Sequence, residues 1–139
     1  MGNRRWSKLK KEIESMMDTD LNFQMYCNAY EIGSYGNEIM RYWITIDRKI
    51  VWDFPKEFSQ DDWYYEDVDI SYLIRDYINT NPDDLNNFTE LMSKDRFRLI
   101  PLLLTCDRRV GKRRLKEMYD RSEFHPYTDI INKRLYRHD

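Results

Sequence analysis

Few residues that carry chemistry are present. The chain has two histidines, two cysteines, four glycines and four prolines, and none falls into the spacing of a zinc pair, a glycine-rich phosphate loop or a nucleophile elbow. Long apolar runs are missing too. The longest, Leu99 to Leu104, is about a third of the roughly 18 residues a membrane span needs, so no membrane partner is expected. Lys8, Lys10, Lys11 and Glu12 follow the positive start of the chain, where a secretory signal would have an apolar stretch. Gly2 is followed by Trp6 at the place where myristoylation needs Ser or Thr. Cys27 and Cys106 are far apart, each in apolar surroundings. Their ordinary reading is as buried, reduced thiols, and a cytoplasmic address follows.

What is abundant is charge and aromatic surface. Of 139 residues, 35% are charged, 41% hydrophobic and 15% aromatic. That suffices for one domain spanning residues 1–139, burying roughly two-thirds of its unfolded surface without disulfide or metal. The formal net charge of −2 hides a division. Residues 1–93 carry 10 Lys and Arg against 18 Asp and Glu, whereas residues 94–139 carry 13 against 7. Such halves either neutralise each other or present two faces to partners.

Periodicity divides the chain into elements. Trp6, Leu9, Ile13, Met16 and Met17 form the stripe of an amphipathic helix. From Asn22 the period falls to two, with Phe23, Met25, Cys27 and Ala29 on one side. Turn residues Gly33 to Asn37 lead to a second alternating run, Met40, Tyr42, Ile44 and Ile46. Asp47-Arg48-Lys49 then connects to Ile50–Phe54, which Pro55 ends. A three-stranded antiparallel meander is expected. Asp69 caps a helix with Ile70, Leu73, Ile74, Tyr77 and Ile78 inward, and Asn81-Pro82 opens another with Leu85, Phe88, Leu91 and Met92 inward. Proline disfavours the helical region for the residue before it, so either Arg96 to Ile100 is extended and the next helix runs from Pro101 to about Arg109, the favoured reading, or one kinked helix runs through from Lys94. Gly111 separates it from a helix burying Leu115, Met118 and Tyr119, and Pro126 opens a last helix with Tyr127, Ile130, Ile131 and Leu135 inward. The expected class is α+β: an N-terminal helix, the meander, then a helical C-terminal half.

Two strings stand out. In the acidic-aromatic segment, Asp61, Asp62, Glu66, Asp67 and Asp69 surround Trp63, Tyr64 and Tyr65 without a balancing cation. It suits a protein interface in which aromatics anchor and acids steer a basic partner; the alternative is a solvated loop with Trp63 tucked onto the sheet. The glycine and closing glutamate of a calcium loop are missing, so no metal is expected there. The second string is basic: six of the nine residues from Arg108 to Lys116 are Lys or Arg, and none is acidic. It is either a phosphate site or an internal counter-charge to the acidic segment. The string holds no aromatic residue for base stacking. An enzyme would need His125 beside Cys27 or Cys106, which only tertiary structure can arrange.

Three strings, Asn3-Arg4-Arg5-Trp6-Ser7-Lys8-Leu9-Lys10, Arg41-Tyr42-Trp43-Ile44-Thr45-Ile46 running on to Ile50-Val51-Trp52-Asp53-Phe54-Pro55, and Asp107-Arg108-Arg109-Val110-Gly111-Lys112-Arg113-Arg114-Leu115, together resemble a family of small uncharacterised bacterial proteins. The resemblance implies a bacterial, cytosolic, single-domain protein and transfers no activity, cofactor or catalytic residue. The expected function is therefore a non-catalytic interaction module of the immunity or antitoxin kind, without cofactor. It would hold a protein partner through Asp61, Asp62, Trp63, Tyr64, Tyr65, Glu66 and Asp67 and the adjoining sheet. The alternative is nucleic-acid or phosphate binding through Arg108, Arg109, Lys112, Arg113 and Arg114.

Overall fold

A computed structural model describes residues 2–32, 37–54, 70–81, 85–95 and 97–136. Helix α1 (Gly2–Ser15) is followed by the strands β1 (Phe23–Ile32), β2 (Asn37–Ile46) and β3 (Lys49–Phe54). Then come the helices α2 (Ile70–Ile78), α3 (Leu85–Lys94), α4 (Leu99–Cys106), α5 (Lys112–Tyr119) and α6 (Thr128–Tyr136), with 3-10 turns at Thr19–Leu21 and Ser122–Tyr127. The expected α+β class and element order are observed.

The sheet has order β1-β2-β3, antiparallel throughout. Phe23 pairs with Ile46 and Ile32 with Asn37, while Tyr42 pairs with Phe54 and Ile46 with Lys49. A bulge between Ile44 and Thr45 shifts the β2–β3 register and leaves Val51 as the extra residue. The period-two pattern sorts the faces. Phe23, Met25, Tyr42, Ile44, Ile46, Trp52 and Phe54 are buried. They join Leu9, Ile13 and Met17 from α1 and Ile70, Ile74 and Tyr77 from α2 in the core. Cys27 is only half-buried, short of the full burial expected for it.

Helix α1 also guards the sheet. β1 is an edge strand, and an edge exposes unpaired backbone groups. Glu14 Oε2 accepts from Met25 N at 2.9 Å, and Lys10 Nζ donates to Met25 O at 2.6 Å and to Glu14 Oε2 at 2.6 Å. One i,i+4 pair on a helix thus fills the place of a neighbouring strand.

Helix α4 corrects the expected boundaries. It runs from Leu99 to Cys106, so Ile100 is helical despite Pro101, and it ends before Arg109. Pro101 is the third helical residue, where no intrahelical N–H bond is lost. The turn ahead of it is held by side chains. Arg98 has φ 60°; Asp95 accepts from Phe97 N at 3.0 Å and Ile100 N at 2.6 Å. Trp52 Nε1 donates to Phe97 O and Tyr127 Oη to Arg98 O. All eight α4 residues are buried, as expected of a helix apolar all round. Two further expectations change. Tyr119 is 39% exposed rather than inward. Gly111 has φ −84° and open space where a Cβ would stand, so this junction does not require glycine.

Candidate functional site

The exit from α4 is held from beneath by buried ions. Met17 and Asp107 form an antiparallel bridge, in which Asp18 N donates to Cys106 O at 2.8 Å and Arg108 N to Met16 O at 2.9 Å. Arg134 of α6, 7% exposed, spends its guanidinium on three groups: Asp18 Oδ2 at 3.0 Å, Thr105 O at 2.9 Å and Val110 O at 2.9 Å. Asp107, fully buried, accepts from Arg109 N, Nε and Nη2 at 2.8, 3.0 and 2.8 Å and from Tyr77 Oη at 2.5 Å. Among the described residues no buried side-chain polar atom lacks a partner.

Electrostatics mark this centre as a clamp. Burial, reinforced by the Asp107 charge, pushes the Tyr77 hydroxyl well above its ordinary pKa. Burial also pushes the Cys106 thiol far up, with Arg134 opposing. The hydrogen bonds to Asp107 raise the pKa of Arg109. A neutral, buried thiol is a poor nucleophile, and His125 is exposed. No group of three or more His, Cys, Asp or Glu among the described residues is arranged to hold a metal ion, and no helix among them is long and apolar enough to cross a membrane.

The basic string is partly absorbed by the clamp. Arg109 is committed to Asp107. Arg108 and Lys112 are exposed and Arg114 is half-buried. The Arg113 side chain is 93% exposed, with Glu117 at 3.9 Å. Asp61, Asp62, Trp63, Tyr64, Tyr65, Glu66 and Asp67 lie outside the described residues, so the counter-charge expectation rests on sequence. Sequence reasoning missed Asp18, Tyr77, Asp107 and Arg134 as a unit. One signal was available: Arg134 is three residues after Ile131 and four after Ile130, inside the apolar stripe of α6.

The sheet face opposite the core carries a second arrangement. Tyr26 and Trp43, paired across β1 and β2, stack at 5.1 Å with planes 17° apart. The Arg41 guanidinium lies 4.2 Å from the Trp43 ring centroid and is gripped at both ends by Asp53, at 3.0 and 2.7 Å. Lys10 approaches the other ring, 4.7 Å from the Tyr26 centroid. Tyr26, Trp43 and Arg41 are half-buried.

These features define a small α+β protein whose polar centre is closed and whose distinctive chemistry is in surface clusters. The chain belongs to the SF0329 protein family, which matches residues 5–98. That span contains all but the first three residues of α1, the meander, α2 and α3; the basic string follows it. No curated protein and no solved structure matches the chain.

Proposed function

We propose that this is a bacterial, cytoplasmic, non-catalytic interaction protein of the immunity or antitoxin kind, which holds a basic protein partner on the sheet and the acidic-aromatic segment. The observation that carries the reading is the Tyr26–Trp43–Arg41–Asp53 cluster. Trp, Tyr and Arg are the residues in which binding energy concentrates. Here their side chains are already fixed by stacking and a two-point ion pair, which lowers the entropy lost on binding. The strand bearing Asp53 ends at Phe54, seven residues before the acids and aromatics of 61–67. The excess of acid over base in residues 1–93 favours encounter with a basic surface.

The test is affinity capture by the tagged full-length chain from host lysate after nuclease treatment. Wild type is compared with Trp43→Ala and with Asp61→Lys/Asp62→Lys/Asp67→Lys, each checked for native circular dichroism. The expected result is one protein retained by wild type and lost with the acidic triple variant. With that partner purified, Trp43→Ala weakens affinity by about 2 kcal/mol, roughly 30-fold, as for an anchor residue. A partner held equally by all three forms, or recovery of nucleic acid alone, overturns the reading.

A further inference from the structure

We propose that the face formed by α5 and α6 binds single-stranded nucleic acid. This face is separate from the sheet and does not depend on the protein-binding reading. On α5, Lys112, Lys116 and Tyr119 recur at helical spacing along one side, with Arg113 beside them. α5 packs on α6, and between them runs an open groove of about 260 Å³ whose walls include Lys116, Tyr119, Asn132 and Tyr136. Leu135 and Asp120 complete it. Tyr136 is 66% exposed and Tyr119, as noted, is exposed as well. Large aromatic rings in water beside cations are the two elements of a single-strand platform: rings on which bases stack and charges that follow the phosphates.

The charges available for phosphate can be separated from those already used. Lys133 is paired with Asp47, Arg121 with Glu123 and Arg109 with buried Asp107. Arg108, Lys112, Arg113 and Lys116 present exposed side chains. The acids of α5 and its end are Glu117, loosely paired with Arg113 at 3.9 Å through exposed side chains, and Asp120 in the groove; Lys112, Arg113 and Lys116 on α5, with Arg108 in the turn before it, outnumber these two. The basic string contains no aromatic residue; the fold supplies the rings from outside it, one at the end of α5 and one from α6. A rigid base helps as well, because the buried Arg134 and Asp107 hold both sides of the α4–α5 turn.

The experiment is fluorescence anisotropy of the full-length protein with labelled oligo(dT), oligo(U) and a duplex of equal length, across a salt series. Binding to the single strands is expected with a log–log salt slope near −3, about −0.7 for each of four phosphate contacts. Lys112→Glu/Lys116→Glu weakens it at least about tenfold and flattens the slope by about 1.4. Tyr119→Ser/Tyr136→Ser costs about tenfold while leaving the slope in place. All four positions are exposed, and native circular dichroism checks the fold of each variant. Any of three outcomes overturns the proposal: no binding of single strands at low salt, binding indifferent to the tyrosine pair with duplex preferred, or a nuclease-resistant acidic protein that the lysine variants release.

Discussion

Asp95 shows how one side chain can set where a helix begins. Its two oxygens accept the N–H groups of Phe97 and Ile100, so the chain can turn through Arg98 with positive φ and enter α4 ahead of Pro101. Burial raises the pKa of this carboxyl, more than the backbone hydrogen bonds lower it. The folded state therefore holds the proton more tightly than the unfolded state. The contribution of this group to stability is fully present below the unfolded pKa of about 3.9 and is lost as pH rises through the higher folded value. Asp95→Asn should remove that dependence: the stability of wild type minus variant, from urea titrations, falls from about pH 4 upward and then levels off. A difference that grows with pH through this window contradicts the assignment. At this scale the sequence was read least well. Asp107 was legible only as the start of a basic string, and Arg134 was not singled out at all. Whether a charge is buried depends on partners such as Asp18, far away in sequence, and no local period reports them.

Elements were more legible because their causes are local. The amphipathic stripes of α1, α2 and α6 and the alternation of β1 and β2 depend on which face meets the core, and among the described residues burial follows those patterns for the most part, with Trp6, Met16, Cys27, Leu73 and Ile78 half-buried and Thr45 buried against its alternation. The boundaries that moved have local but competing causes. Proline was expected to exclude helix at Ile100, and the Asp95 bonds supply what that position needed. Tyr119 has the spacing for burial but stands at the end of α5, beside the groove. The β2–β3 connection is a further case. It narrows to Asp47 and Arg48, with φ 51° and 72°, the pattern of a type I′ hairpin turn that favours Asn-Gly or Asp-Gly. Arginine at the second position is strained by its Cβ. Arg48→Gly should raise stability by about 0.5–1 kcal/mol, read as a higher urea midpoint with unchanged slope; a lower midpoint shows that Arg48 makes a compensating contact.

For the whole molecule, the buried ions join its distant parts. Asp18 and Arg134 are 116 residues apart, and Tyr77–Asp107 brings α2 to the same centre. Removing one partner leaves a buried charge unpaired, which costs about 3–5 kcal/mol. Arg134→Met should lower stability by that amount, and adding Asp18→Asn should recover part of it, because the stranded carboxylate is gone. Additive losses in the double variant mean that the two side chains do not act as a pair. The division of charge between the two parts of the chain, visible in composition, recurs in three dimensions as a basic face on α5 standing over a neutralised interior.

The order of synthesis gives that long-range pair another meaning. The ribosome releases Asp18 and Asp107 before Arg134, and α4, apolar on every side, also emerges before α6 can cover it. During that interval the carboxylate of Asp18 and the carbonyls of Thr105 and Val110 lack their native guanidinium donor. Closure of the centre therefore waits on α6, and the emerging chain exposes apolar surface until that helix arrives. A chain cut short before Arg134 would be held in that unfinished state, so α6 acts as the lock of the fold.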